Sequence, residues 1–150
     1  MERERKLNTL LAQAGVKSDT TTGALTTPLH FSTTYQHPEF GQSTGYDYTR
    51  TKNPTRASLE ETLAAIESAD YALATSSGMS AIVLAFSAFP VGSKVLAVRD
   101  LYGGSFRWFA QAEAEGRFAF TYANTEEDLL NNLTEDIDIV YIETPTNPLM

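Results

Sequence analysis

Three stretches of this 150-residue chain combine small, hydroxyl-bearing, amide and aromatic residues in patterns suited to holding a ligand. Ser76-Ser-Gly-Met-Ser80 lies between two apolar runs. A glycine at a helix start lets bare backbone N–H groups approach an anion, the helix dipole favours negative charge, and nearby hydroxyls can donate further hydrogen bonds. A phosphate group fits there; so does a plain tight turn with capping serines. The stretch has no lysine and is not a Walker loop, and no Gly-x-Gly-x-x-Gly turn follows. Asp100-Leu-Tyr-Gly-Gly104 sets an aromatic ring, Tyr102, beside two glycines that permit close approach, for stacking on a flat ligand or for packing into a core. Glu143-Thr-Pro-Thr-Asn-Pro148 stiffens a loop with two prolines. Asn147 could hydrogen-bond a ring hydroxyl, or the segment could be a turn held by its own Asn and Pro chemistry.

The elements that must position these stretches are legible in the apolar pattern. Asn53 can cap a helix and Pro54 suits its first position, where a missing amide hydrogen costs nothing. Leu59, Leu63 and Ile66 then share a helical face, with Glu60, Glu61 and Glu67 largely off it. Beyond, the pattern predicts strands at 71–75, 94–99, 118–122 and 137–143. Helices are predicted at 79–89, 105–115 and 126–133, the last opened by the capping sequence Thr125-Glu-Glu-Asp128. Such alternation predicts an α/β domain with a largely parallel sheet. Ligands of open α/β sheets bind at the carboxyl ends of strands, so a parallel sheet brings all three stretches to one edge. Residues 18–53 are too polar for a core element and too aromatic for a free linker. They read as an extended arm that packs on something, or as an irregular surface loop.

Composition narrows the partners. A net charge of −8 with no basic cluster argues against nucleic acid or an anionic membrane. With no cysteine there is no disulfide framework, thiolate nucleophile or cysteine metal site, and no metal is expected. The charged start Met1-Glu-Arg-Glu-Arg-Lys6 lacks a following signal-peptide core, and no apolar run reaches membrane-span length, so the cytoplasm is the expected compartment.

The stretches Gly45-Tyr-Asp-Tyr-Thr-Arg-Thr-Lys-Asn-Pro-Thr-Arg56, Ser76-Ser-Gly-Met79, Asp100-Leu-Tyr-Gly-Gly104 and Glu143-Thr-Pro-Thr-Asn-Pro148, in that order and spacing, resemble the cystathionine gamma-synthase and cystathionine beta-lyase family. Thr22-Gly-Ala24, Pro28 and Ser32-Thr-Thr-Tyr35 are similar to that family's amino-terminal arm. The family comprises trans-sulfuration enzymes of methionine and cysteine metabolism that use pyridoxal 5′-phosphate. The resemblance implies the aspartate aminotransferase-like (type I) large domain, with an arm at 1–53, the first part of the cofactor-binding domain at 54–150, and no carboxyl-terminal domain in the chain. It implies that Gly78 and Met79 offer N–H groups to the cofactor phosphate, with Ser77, Ser76 and Ser80 nearby. Tyr102 would stack on the pyridine ring and is a candidate for meeting a leaving group. Asn147 would bond the ring hydroxyl and Glu143 would shape that edge. Tyr48 and Arg50 match the pair that reaches the phosphate of a neighbouring subunit, in a homo-oligomer expected to be a dimer of dimers.

The substrate class implied is a small sulfur amino acid. Beta-elimination from cystathionine is the expected reaction, with gamma-replacement and gamma-elimination as alternatives. One departure is informative. The lysines are Lys6, Lys17, Lys52 and Lys94, and none sits in the Ser-x-Thr-Lys setting of the family's cofactor-anchoring lysine. This chain by itself is therefore expected to be inactive; a non-catalytic binding or assembly module is the alternative of another class.

Overall fold

In the computed structural model, residues 6–16 and 19–148 are described. The chain divides into two compact units, Met1–Ala74 and Thr75–Met150.

In the first unit, α1 (Leu7–Ala12) packs against α2 (Pro54–Ile66). The cap expected at Asn53 is present: its side-chain oxygen accepts from the N–H of Thr55 at 2.8 Å and of Arg56 at 3.4 Å, with Pro54 at the first helical position. The Asn53 amide also donates to His30 O at 3.0 Å and to Thr49 Oγ1 at 2.5 Å. Arg56 adds bonds to the carbonyls of Thr49 and Thr51. The polar segment before α2 is thus pinned to the start of that helix, although it contains no regular helix or strand among the described residues. An antiparallel bridge, Thr34 with Tyr48, folds it back on itself. The apolar face expected on α2 is not what this unit buries. Ser58 and Ala64 are buried, whereas Leu59 and Leu63 stay exposed, because Thr27 and its neighbours pack on the Ser58 side through a 3.1 Å hydroxyl contact. Helix α1 was not expected from the sequence.

The second unit holds a wholly parallel sheet of β1 (Ser93–Val98), β2 (Phe118–Ala123) and β3 (Ile139–Tyr141) in the order β2-β1-β3. Helices α3 (Gly78–Phe86) and α4 (Gly103–Ala114) contribute to one side of it. Period-two alternation places Val95 and Ala97 on the same face as Phe118, Phe120 and Tyr122. Phe86, Phe109 and Ala112 cover that face, and the rings of Phe109 and Phe120 stack with centroids 4.6 Å apart. Full burial of Phe109 and Val95 in this cluster, and of Leu96 on the opposite face of the sheet, contributes about 1.5–3 kcal/mol each. Helix α5 (Glu126–Asn132) lies along β2 and β1, capped by the expected Thr125, whose hydroxyl accepts from Asp128 N at 3.0 Å. Phe120 N–H, on the edge strand β2, donates to the Glu113 carboxylate at 3.2 Å instead of to a strand. No helix of the described residues is long and apolar enough to cross a membrane.

Two expectations need correction. Residues 71–75 pair with no strand among the described residues, and Tyr71 and Leu73 are exposed. A short apolar run has the composition of a strand but becomes one only with a neighbour to complete its hydrogen bonds. The segment at 137–143 contracts to Ile139–Tyr141. Asp138 turns its carboxylate onto Lys94 N at 2.8 Å before the strand, and Glu143 is drawn to the next loop after it. The other helix and strand bounds expected between 79 and 133 agree or differ by up to three residues, as frayed ends do.

Candidate functional site

β1 and β3 are parallel neighbours, so the loops that follow them leave the sheet at the same edge. Leu101, buried, anchors the first of these loops in the core; the next residue, Tyr102, is 41% exposed. The loops are joined twice. Tyr102 N–H donates to Glu143 Oε2 at 3.1 Å, and Thr146 Oγ1 donates to Asp100 Oδ2 at 2.7 Å. Tyr102 and the 143–148 loop therefore share one edge, as the expected parallel sheet requires. The Asn147 side chain is exposed and has no hydrogen-bond partner among the described residues.

Gly104 fixes where the Tyr102 ring can lie. A Cβ built on Gly104 would stand 2.9 Å from Tyr102 Cδ1 and closer still to Cε1, so the ring occupies the space that any other residue at 104 would fill. One residue on, Ser105 is fully buried; its hydroxyl reaches Met79 Sδ at 4.0 Å and lies beside the Tyr141 phenol of β3. Burial pushes the Tyr141 phenol up; the Ser105 hydroxyl opposes this and the Glu143 charge adds to it.

The contact between Met79 and Ser105 brings the start of α3 beside the start of α4. Ser77 caps α3 by accepting from Ser80 N at 3.1 Å, and its hydroxyl lies 2.9 Å from that of Ser80. Gly78 and Met79 N–H groups have no protein acceptor among the described residues. A Cβ at Gly78 would meet nothing within 4 Å, and the φ of Gly78 lies outside the left-handed region. Gly78 therefore adopts a backbone open to any residue, and what it supplies is the open space in front of the N–H groups.

Tyr48 and Arg50 lie in the first unit. The Arg50 guanidinium sits 4.9 Å from the centroid of the Tyr48 ring, and no acidic side chain among the described residues pairs with it. The described residues contain no cluster of three or more His, Cys, Asp or Glu able to hold a metal. Sequence reasoning gave no roles to Asp100, Ser105 or Thr146, and it gave Gly104 only the part of permitting close approach beside Tyr102. A bond spanning 46 residues, such as that between Asp100 and Thr146, has no local signal.

Residues 8–150 match the family model described as Cys/Met metabolism PLP-dependent enzyme. The chain belongs to that family. It is 42% identical over 146 residues to the cystathionine gamma-synthase/O-acetylhomoserine (thiol)-lyase of Bacillus subtilis, covering 96% of this chain and 39% of the relative. It is 34% identical to the cystathionine beta-lyase of the same organism, covering 96% of this chain and 37% of the relative. Cystathionine gamma synthase from Xanthomonas oryzae pv. oryzae, solved in complex with cystathionine, superposes with a TM-score of 0.88 at 38% identity, over 97% of this chain and 38% of that one. The chain thus spans about two fifths of the length of the relatives it matches. Its fold is part of the type I PLP-dependent large domain, as the resemblance implied.

Pyridoxal 5′-phosphate is the cofactor of this family. The described residues fit it: free N–H groups at an unobstructed helix start suit a phosphate, and an exposed ring beside an unpartnered amide suits a planar, hydroxyl-bearing ring.

Proposed function

We propose that this chain forms the phosphate- and ring-binding portion of a pyridoxal-phosphate trans-sulfuration enzyme that makes or breaks a carbon–sulfur bond in a small amino acid. The observation that carries this reading is the pair of hydrogen bonds between the loops after β1 and β3, which gathers Tyr102, Glu143 and Asn147 on the strand edge. Gly78 and Met79 N–H groups hold the phosphate, with Ser77 and its neighbours completing the cradle. Tyr102 stacks on the pyridine ring and meets the leaving group. Asn147 bonds the ring hydroxyl, and Glu143 orients Tyr102 through its backbone N–H. When bound, the cofactor supplies an electron sink for the charge released as substrate bonds break. Tyr48 and Arg50 serve the phosphate of a neighbouring subunit, with residues 1–53 as the arm of a homo-oligomer, a dimer of dimers, working in the cytoplasm.

Beta-elimination is the finer reading of the wording at 46–56 and 101–105. Gamma-replacement is the second reading, favoured by the higher identity to a gamma-synthase than to a beta-lyase. Product analysis separates them in the complete gene product. With cystathionine, beta-elimination breaks the Cβ–S bond and yields pyruvate, ammonia and homocysteine. Gamma-elimination breaks the Cγ–S bond and yields 2-oxobutyrate, ammonia and cysteine. Gamma-replacement instead forms cystathionine from cysteine and an O-acylated homoserine. Absence of all three activities in cofactor-loaded protein would remove the proposal.

A further inference from the structure

We propose that Asp100 is a positioning residue that, through the Thr146 hydroxyl, holds Asn147 in place for the cofactor ring; this rests on the function proposed above. The 143–148 loop is tied near its start, where Glu143 accepts from Tyr102 N–H at 3.1 Å. Asn147 lies four residues farther along. A loop fixed at one end alone leaves that residue many backbone states to lose when a ligand binds. The second tie is placed at the far end: Thr146 Oγ1 donates to Asp100 Oδ2 at 2.7 Å, one residue before Asn147. Asp100 is well placed to hold it. It lies two residues beyond β1, on the chain that Leu101 anchors in the core, so the carboxylate sits on the rigid side of the pair. A charged acceptor at 2.7 Å also makes this the stronger kind of hydrogen bond. Neither residue need touch the ligand: the neighbours they hold, Tyr102 and Asn147, are the ones that do.

The test uses the complete gene product freed of cofactor, with two probes. Pyridoxamine 5′-phosphate engages both phosphate and ring sites and needs no lysine; inorganic phosphate engages the phosphate site alone. Thr146→Val should weaken pyridoxamine phosphate binding by about three- to tenfold, less than the tenfold or more of a lost hydrogen bond to a charged group because this one acts on the ligand only through Asn147, and leave inorganic phosphate binding unchanged. Asp100→Asn should act in the same direction, and Thr146→Ser should restore binding. Amide hydrogen exchange provides a readout that needs no ligand, and Thr146→Val should speed exchange at Thr144, Thr146 and Asn147 while the core strands stay protected. If Thr146→Val changes neither pyridoxamine phosphate affinity nor loop exchange while the parent protein binds that probe well, the positioning role is wrong and the proposed function stands. If the parent protein binds pyridoxamine phosphate no better than inorganic phosphate, the ring site itself is wrong and the role of Asp100 goes with it.

Discussion

At the scale of single residues, two glycines make opposite demands. Gly104→Ala adds a Cβ where the Tyr102 ring now lies, so the ring must leave its place. Alanine is the better helix former by about 1 kcal/mol, and position 104 lies in the first turn of α4. The variant is therefore expected to unfold at the same or a slightly higher temperature while its affinity for pyridoxamine phosphate falls roughly tenfold, the effect of losing one aromatic contact. A variant that is stable and binds normally would show that the ring has no part in binding. Gly78→Val is different. Its side chain would enter open space from a backbone that valine can adopt, so the fold should survive, and the new bulk in front of the helix N–H groups should lower phosphate affinity by tenfold or more. Titration with inorganic phosphate checks it.

Elements are held by caps and ion pairs whose contributions can be separated. Asn53 both caps α2 and pins His30 and Thr49, so Asn53→Ala removes several bonds at once. A loss of about 1–2 kcal/mol is expected, at the upper end for an N-cap, measurable by chemical denaturation. In the second unit, Lys94 Nζ meets Asp136 Oδ2 at 2.5 Å, joining the start of β1 to the turn before β3. The hydrogen bond from Lys94, then that from Thr134, holds the Asp136 carboxyl down to about 2 from the ordinary 3.8. A depressed carboxylate stabilises the fold above its unfolded value and loses that contribution as pH falls from about 4 through 2. Lys94, raised by the same bond, has its contribution in full below the unfolded value of 10.5 and loses it as pH rises beyond. Asp136→Asn should therefore lower the melting temperature slightly near pH 6, by the small amount an exposed pair contributes, and the variant and parent profiles should converge as pH falls from about 4 through 2.

These elements also show what a sequence can carry. Caps at Asn53 and Thr125 and the alternating run of β2 were legible because their signals are local: a side chain bonds an amide two or three residues on, or every second residue turns inward. The strand expected at 71–75 failed because pairing is not a property of one segment. Helix α1 was hidden in a charged start whose leucines pack only on α2, about 50 residues later. Tyr102, Gly78 and Asn147 became candidates through motif order. The bonds around two of them, from Tyr102 N–H to Glu143 and from Thr146 to Asp100, join positions more than 40 residues apart and have no local signal.

At the scale of the whole molecule, the lysines of this chain carry an expectation of their own. Of the lysines in the described residues, Lys94 lies in its ion pair and Lys52 near the Tyr46 ring, 5.3 Å from its centroid. Borohydride reduction of this 150-residue chain with pyridoxal phosphate should leave no single lysine labelled in stoichiometric yield. A peptide map with one fully labelled lysine, protected by cystathionine, would refute that. The proposed sharing of the site between subunits has its own test. In the complete gene product, Arg50→Ala and Gly78→Val should each be nearly inactive, and mixed oligomers should regain activity toward half the normal value per dimer, because both defects can fall in one site and leave the other whole. Isolated hybrids that stay inactive would place both residues in the same subunit's site.

The carboxylate of Glu113 on the outward N–H of Phe120 has a consequence for solubility. A bare strand edge templates the addition of another chain, and a side-chain acceptor already seated on that edge blocks the template. The β2 border of the sheet is guarded in this way. The β3 border has no such guard among the described residues, and Val140 and Ile142 are exposed there. In a chain whose sheets met edge to edge, a bare β3 border alone would close a pair, whereas a fibre needs two open borders per molecule, and the Glu113 carboxylate on Phe120 occupies one hydrogen-bonding position of the second.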